Sequence, residues 1–259
     1  GWTPETVGTY TVRVIASTLA GSTTSNTVNF IIYNKPTIIS ATISIDKGGL
    51  TQSITLTGVG NGAPNLTYTW QENINNNWID IGNNAITTVQ INDNVSTLHQ
   101  YRLQLTDYGG TTTSDIITYQ SYTTPTISNV TVTPKEGGSE TEFTLTATYD
   151  SETPIVSYQW QYNVNYANGW ENVPNGNTAT VNWTPNNVGE YSVKVTATSL
   201  AGSSTSNEAT FTIYTKPTIT NVTATPNEGS VETTITLNAD VNGNGTTVTN
   251  YQWQYYDTE

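Results

Sequence analysis

The chain has 259 residues, and 20 acidic against 7 basic side chains give it a net charge of −13 at pH 7. That charge disfavours nucleic acid and anionic membranes as partners. The absence of cysteine excludes disulfides and thiolate chemistry, and the single histidine, His99, excludes metal sites that need several histidines.

Composition also indicates where the protein works. Secreted eukaryotic domains of this size usually contain disulfides, so a chain without cysteine favours a prokaryotic or viral surface protein. No run of about 18 apolar residues occurs, which predicts no membrane span, and the first residues lack the features of a signal peptide. We interpret the sequence as a mature segment or an excerpt of a protein located outside the cell.

The sequence repeats with a period of about 90 residues. Two sets of anchors define this period: prolines followed by Thr-Ile, and tryptophans within Tyr-Xaa-Trp-Gln. The prolines lie 89 and 92 residues apart, and the tryptophans lie 90 and 93 residues apart. The anchors are Pro36, Pro125 and Pro217, and Trp70, Trp160 and Trp253.

These anchors predict four segments. Residues 1–34 match the end of a repeat, 35–123 and 124–215 are full repeats, and 216–259 match the beginning of another. We refer to 35–123 as the first full repeat and to 124–215 as the second full repeat. A few alternating strands bury little apolar surface alone, so we expect the two outer segments to be covered by further repeats of the same array or by a neighbouring copy.

Short strands separated by turns account for the whole second full repeat. Turns are predicted at Lys135–Gly138 and Leu200–Ser203, and no apolar series keeps the 3.6-residue period of a helix. The predicted strands, in chain order, are Thr126–Thr133, Thr141–Tyr149, Ile155–Tyr162, Trp170–Val173, Ala179–Trp183, Tyr191–Ala197 and Glu208–Tyr214.

Three motifs carry a family resemblance: Tyr-Gln-Trp-Gln around Trp160, Val-Gly-Glu-Tyr-Ser-Val-Lys-Val around Tyr191, and Ala-Gly-Ser-Ser-Thr-Ser from Ala201. Along its whole length the chain resembles tandem immunoglobulin-like and PKD-like modules of bacterial and archaeal surface proteins. It departs from antibody domains in having no cysteine pair, and from PKD modules in lacking Trp-Asp-Phe-Gly-Asp-Gly.

The resemblance implies an all-β fold of tandem immunoglobulin-like β-sandwiches. It also implies that Trp160 is the core tryptophan and that Tyr191 is the tyrosine-corner residue, with Tyr10 and Tyr101 in the same place in their own repeats. Only two residues separate the last tyrosine of one repeat from the first proline of the next. Such short joints predict a stiff, rod-like array.

Candidate ligand sites are few. The turn after the first strand carries one carboxylate in each copy, Asp46, Glu136 or Glu228, which makes it a weak candidate for calcium, an ion that needs several oxygen ligands. No other cofactor is expected, and no catalytic constellation stands out, so we predict no enzyme. His99 is expected at a loop or strand end.

Six Asn-Xaa-Ser/Thr sequons are candidate glycosylation acceptors. Two of them, Asn129 and Asn221, recur 92 residues apart. The full set is Asn65, Asn94, Asn129, Asn182, Asn221 and Asn244.

A second tryptophan follows the core tryptophan in each full repeat. Trp78 and Trp170 adjoin the asparagine-rich stretches 75–77 and 165–169, and aromatic rings with neighbouring amides are suited to bind a glycan. The alternative is that these rings cover the edge of each sandwich. Lys194 alternates out of phase with Val193 and Val195 and is expected to face solvent.

Together these observations predict a structural, extracellular repeat segment, such as part of a stalk, a surface layer or a filament. Two alternatives stay open. One is an adhesin that binds glycans through its aromatic and asparagine-rich loops, and the other is a spacer attached to a secreted enzyme. Neighbouring copies of the chain or other surface proteins are the expected partners.

Overall fold

The computed structural model describes residues 1–167 and 169–256, and every helix or strand element among them is a strand. The chain divides into two compact units. One contains Gly1–Thr123, and the other contains most of the chain from Thr124 onward.

The first 34 residues form two separate antiparallel pairs. β1 (Gly8–Val12) pairs with β4 (Val28–Ile32), and β2 (Ile15–Thr18) pairs with β3 (Gly21–Thr24). On the first pair, the rings of Tyr10 and Phe30 are stacked with their centroids 5.4 Å apart.

The first full repeat is a sandwich of two sheets. The smaller sheet has the strand order β10-β7-β5, and the larger has the order β6-β13-β11-β8-β9, with β12 paired to β11. The strands are β5 (Thr37–Ile43), β6 (Lys47–Gly49), β7 (Thr51–Asn61), β8 (Thr67–Ile74), β9 (Asn77–Gly82), β10 (Ile86–Asn92), β11 (Leu98–Asp107), β12 (Gly110–Thr113) and β13 (Ile117–Tyr122).

The second full repeat has the same arrangement. Its smaller sheet has the order β14-β16-β19, and its larger sheet has the order β15-β22-β20-β17-β18, with β21 paired to β20. The strands are β14 (Thr126–Thr133), β15 (Glu136–Gly138), β16 (Phe143–Asp150), β17 (Ile155–Val164), β18 (Glu171–Asn172), β19 (Thr180–Trp183), β20 (Gly189–Ser199), β21 (Gly202–Thr205) and β22 (Ala209–Tyr214). This order, with its core tryptophan on β17, is that of an immunoglobulin-like sandwich.

Residues 216–256 contain one hairpin-like pair, β23 (Thr218–Thr225) with β24 (Thr236–Asn242). The repeat period would place a third strand around Trp253, but residues 251–256 lie outside any strand. In the full repeats the strand that carries the core tryptophan, β8 or β17, pairs with β11 or β20. No counterpart of β11 or β20 is present among the described residues of this segment.

Each full repeat buries one tryptophan completely between its sheets, Trp70 on β8 and Trp160 on β17. Alternating Leu, Val and aromatic residues of the facing strands surround each indole, while the intervening Thr and Gln side chains point outward. In the second full repeat, Phe143 and Phe211 close the core from opposite sheets with their ring centroids 4.3 Å apart.

Two strands of the second full repeat occupy stretches that the sequence predicts as turns. β15 pairs in parallel with β22, and β21 pairs with β20. Both are short and rich in glycine or serine, so neither shows the apolar alternation that marks a strand. The other predicted strands are confirmed, with bounds that shift by at most two residues.

Three segments of the chain contain the first strand of a repeat, and each of these strands has a β-bulge. The register shifts between Ile38 and Ser40 in β5, between Ile127 and Asn129 in β14, and between Ile219 and Asn221 in β23. A bulge twists an edge strand and interrupts its ladder, which disfavours edge-to-edge pairing with other chains.

The tyrosine corner is confirmed in two places. Tyr191 lies opposite Phe211, and its hydroxyl donates to the carbonyl of Asn187 over 2.8 Å. Tyr10 makes the same bond to Thr6, four residues upstream, over 2.6 Å.

In the first full repeat the tyrosine-corner prediction was wrong. The residue opposite Tyr119, which takes the place of Phe211, is His99 rather than Tyr101. Tyr101 lies two positions further along β11, fully buried and opposite Glu72.

The two core tryptophans differ in one hydrogen bond, which gives a matched pair of variants. The indole N–H of Trp160 donates to the carbonyl of Thr178 over 2.9 Å, whereas the buried indole nitrogen of Trp70 has no partner among the described residues. We expect Trp160→Phe to lower the free energy of unfolding of its repeat by about 1 kcal/mol more than Trp70→Phe lowers that of the other repeat. Urea unfolding of each variant measures the difference, and equal losses would contradict the expectation.

Candidate functional site

The outer face of the larger sheet carries the same layer of side chains in both full repeats. In the first full repeat, strand pairing places Gln71 of β8 between Arg102 of β11 and Asp80 of β9. Two residues further along β8, Asn73 lies opposite Trp78. We name Trp78, Arg102, Gln71 and Asp80 the tryptophan–cation layer.

Cation–π and hydrogen-bond contacts hold this layer together. The guanidinium carbon of Arg102 lies 4.2 Å from the centre of the Trp78 ring, and Arg102 Nε donates to Gln71 Oε1 over 2.8 Å. Gln71 Nε2 then donates to Asp80 Oδ1 over 2.7 Å. The contacts therefore form a continuous series from the indole through the cation and the amide to the carboxylate.

The second full repeat has an equivalent tryptophan–cation layer. Lys194 Nζ lies 3.8 Å from the centre of the Trp170 ring. Gln161 lies opposite both Lys194 and Asn172, and its amide donates to Asn172 over 3.4 Å. Lysine acts as a compact point charge where arginine stacks and donates in a plane, so this layer depends more on the cation–π contact and less on hydrogen bonds.

The sequence identifies the tryptophans of this layer but not their cations. Arg102 and Lys194 stand 92 residues apart, 24 residues after Trp78 and Trp170. This equal spacing is the sequence signal that could have identified the two cations. Lys194 does point away from the core, as its alternation predicts, but its ammonium group lies on a half-buried indole.

Glycan contact through Trp78 and Trp170 stays a prediction. Both indoles are half-buried, and each has a cation on its ring. The exposed turn Asn75–Asn76 adjoins Trp78, and both asparagines have positive φ, as a tight two-residue turn between β8 and β9 requires. In the stretch 165–169 before Trp170, Asn168 lies outside the described residues.

The sequons occupy different environments. Five of the six asparagines are exposed, namely Asn65, Asn94, Asn129, Asn182 and Asn221. Asn244 is half-buried, and its Nδ2 atom donates to the carbonyl of Lys216 over 2.7 Å. Sugar attaches at that nitrogen, so Asn244 is the least accessible acceptor, and occupancy of all six stays a prediction.

The acidic turn residues lie on or beside short turns: Asp46 precedes β6, and Glu228 lies between β23 and β24. Glu136 lies on β15, and the carbonyl of Asp46 accepts a bond from Gln120 N over 2.9 Å. Within residues 1–167 and 169–256, no group of three or more histidine and acidic side chains is arranged to hold a metal ion. In the same ranges no helix is long and apolar enough to cross a membrane.

The tryptophan–cation contact can be measured by a double-mutant cycle. We expect the single variants Lys194→Met and Trp170→Leu, combined with the double variant, to give a coupling free energy of about 0.5–1 kcal/mol. The matched control is Lys194→Arg, which keeps the cation and should keep the coupling. A coupling free energy near zero in urea unfolding would show that the cation does not stabilise the indole.

Comparison with known proteins gives similarity of structure only. No protein-family model and no curated protein matches the sequence. Solved structures that match include domains FN1–FN3 of chicken CNTN1, at 17% identity over 79% of this chain and 75% of that one, with a TM-score of 0.39. Domains A168–A170 of titin match at 18% identity over 80% and 75%, with a TM-score of 0.48. Three N-terminal domains of the Highly Immunogenic Outer Capsid protein of bacteriophage RB49 match at 16% identity over 82% and 70%, with a TM-score of 0.37. The immunoglobulin-like fold of this chain is shown by its own strand order and register.

Proposed function

We propose that this chain is a structural segment of an extracellular array of immunoglobulin-like domains, such as a stalk, a surface layer or a filament, and that its role is to bear tension. The proposal assigns it no enzymatic activity. One observation carries the proposal: each full repeat pairs its beginning with its end in parallel.

The parallel pairs are β6 with β13 and β15 with β22. Because the second strand of each full repeat, β6 or β15, runs in the same direction as the last strand, the chain enters the repeat at one end and leaves it at the other. Tension along the chain then pulls the paired strands past each other. All the hydrogen bonds of such a pair share the load, whereas bonds pulled apart like a zipper break one after another.

Contacts at the joints between repeats support the proposal. In the first compact unit, the rings of Tyr33 and Tyr108 stack across the joint at 6.2 Å, and the Thr112 hydroxyl donates to the carbonyl of Pro36 over 2.6 Å. In the second, Lys216 Nζ lies 2.9 Å from the Glu140 carboxylate. That ion pair is exposed, so it contributes little to stability by itself.

Side chains also bind the main chain at these joints. Asp107 receives main-chain N–H groups from Ala63 and Gly109, which ties two loops beside the first joint. Asn244 donates to the carbonyl of Lys216 at the second joint. Lys216 is thus held both by Glu140 of the repeat before it and by Asn244 of the segment after it, which favours transmission of force over free rotation.

The partners we propose are further repeats of the same type, along the same chain or in neighbouring copies. Several apolar residues that are buried in the full repeats have exposed counterparts in the outer segments. Leu145 is fully buried, whereas its counterpart Leu237 is 47% exposed. Burial of such faces stabilises an array by about 25 cal/mol for each Å² of apolar surface removed from water.

Force spectroscopy of the 259-residue chain tests the mechanical role. We expect two discrete unfolding events, one for each full repeat, each lengthening the chain by roughly 30 nm, as about 90 residues at 3.6 Å per residue require. Residues 1–34 and 216–256, which lack the parallel pair, should extend without a peak and serve as internal references. Extension of the whole chain without discrete events would contradict the proposal.

Location and ligand binding need separate measurements. Antibodies raised against this chain should label intact cells or particles of the source along their surface or appendages. Labelling only after permeabilisation would exclude the extracellular role.

Glycan binding by the chain that is lost in Trp78→Ala or Trp170→Ala, with folding retained, would favour the adhesin over a purely structural role.

A further inference from the structure

His99 lies between two carboxylates in the first full repeat. Its Nδ1 atom is 2.8 Å from Glu72 Oε1, and its Nε2 atom is 2.9 Å from Asp93 Oδ2. All three side chains are largely withdrawn from solvent, with 13–17% of each exposed. Glu72 lies on β8, Asp93 follows β10, and His99 is the second residue of β11, so the three groups join both sheets of the sandwich.

Further contacts fix the position of this group. The Ser121 hydroxyl donates to Asp93 Oδ2 over 2.6 Å, and it accepts the main-chain N–H of Thr97 over 2.9 Å. The ring of Tyr101 lies parallel to the imidazole with centroids 6.2 Å apart, and the ring of Tyr119 on β13 lies at the same distance. The ionisable groups that face His99 are therefore two carboxylates from the neighbouring segments and two phenols from β11 and β13.

The number of protons on the His99 imidazole decides whether hydrogen bonds to both carboxylates can form. A neutral imidazole has one N–H group and cannot donate to both carboxylates, so one ring nitrogen would direct its lone pair at a carboxylate oxygen. A protonated imidazole donates through both nitrogens and places a positive charge between two negative charges. With both carboxylates ionised, only the protonated imidazole satisfies both contacts.

We propose that Glu72, His99 and Asp93 form a proton-dependent clasp, which holds the two sheets of the first full repeat together in mildly acidic medium and is released as the medium becomes alkaline. The second full repeat has Tyr191 in the position of His99, and residues 1–34 have Tyr10 there. Each of those tyrosines donates its hydroxyl to a main-chain carbonyl, and burial raises the pKa of Tyr191 above 10. Within one chain, the two full repeats thus respond differently to pH.

The electrostatic environment supports this proposal. The hydrogen bond to Glu72 raises the pKa of His99 above 6.5, burial opposes the rise, and the Asp93 bond and both negative charges add to it. Burial raises the pKa of Asp93, but hydrogen bonds from Ser121 and His99 outweigh it and hold the value below 3.8. Burial raises the pKa of Tyr101 and of Tyr119, so both phenols stay neutral through this range.

These directions define the pH window. Because the pKa of His99 is higher in the folded state, its contribution to stability is complete below about 6.5 and is lost as the pH rises through the folded value. The pKa of Asp93 is lower in the folded state, so its contribution is present above about 3.8 and is lost as the pH falls through the folded value. The clasp is therefore most stabilising between these two limits.

NMR titration of the imidazole tests the clasp directly, because the chain has one histidine. We expect the His99 pKa in the folded chain to exceed that of the same chain in concentrated urea. Glu72→Gln and Asp93→Asn, which keep the shape of each side chain, should each shift it downward. A folded pKa at or below the unfolded value, or no shift in either variant, would overturn the proposal.

Unfolding of the two repeats provides the second measurement. The indole N–H signals of Trp70 and Trp160 report the first and the second full repeat separately in urea titrations. We expect the Trp70 midpoint to fall between pH 6 and pH 9, the Trp160 midpoint to change less, and the fall to disappear in His99→Gln. If His99→Gln keeps the same pH dependence, or if both repeats respond equally in the unmodified chain, the clasp does not exist.

Discussion

Burial of one indole between two sheets is the interaction on which each full repeat depends. Neither sheet has a second apolar face, so Trp70 and Trp160 can leave water only where both sheets meet. The outer segments show the consequence. Trp253 matches Trp160 in sequence, yet it is 42% exposed and lies outside any strand, because no facing sheet in the described part of its segment covers it. The sandwich is therefore a cooperative unit, and partial copies of it do not bury their own apolar residues.

The tryptophan–cation layer extends this principle to the outside of the sheet. A strand at a sheet edge leaves main-chain groups unpaired and exposed to other chains. Trp78 on β9 and Trp170 beside β18 place bulky rings at that edge. The positive charge of Arg102 or Lys194 lies over each ring. The layer thus stabilises the edge and disfavours edge-to-edge pairing, two properties that suit a domain that recurs along one chain. Ligand binding is not needed to explain its recurrence.

The corner at the start of β11 and β20 shows how one position can hold different chemistry in the same fold. In both repeats the residue there is bonded to groups that precede the strand in the chain. Tyr191 does so through a hydroxyl and a main-chain carbonyl, whereas His99 does so through two carboxylates. The Tyr191 hydrogen bond does not change with pH near neutrality, whereas the proposed His99 clasp does. Repeats with equal topology can therefore differ in the medium that favours them.

Local alternation in the sequence determined most of the strands, since large apolar side chains at every second position must face a core. It also identified Trp160 and Tyr191, because their motifs are local. The tertiary structure decided what depends on pairing between distant residues. Trp70 pairs with Leu103 and Trp160 pairs with Val195, so the intervening stretch is two residues shorter in the first full repeat. Side chains on a strand return to the same face every two residues. Tyr101 and His99 therefore point to the same face, and only the register distinguishes them. The contacts of Arg102 with Trp78 and of His99 with Glu72 join residues 24 and 27 positions apart, a separation at which no local pattern operates.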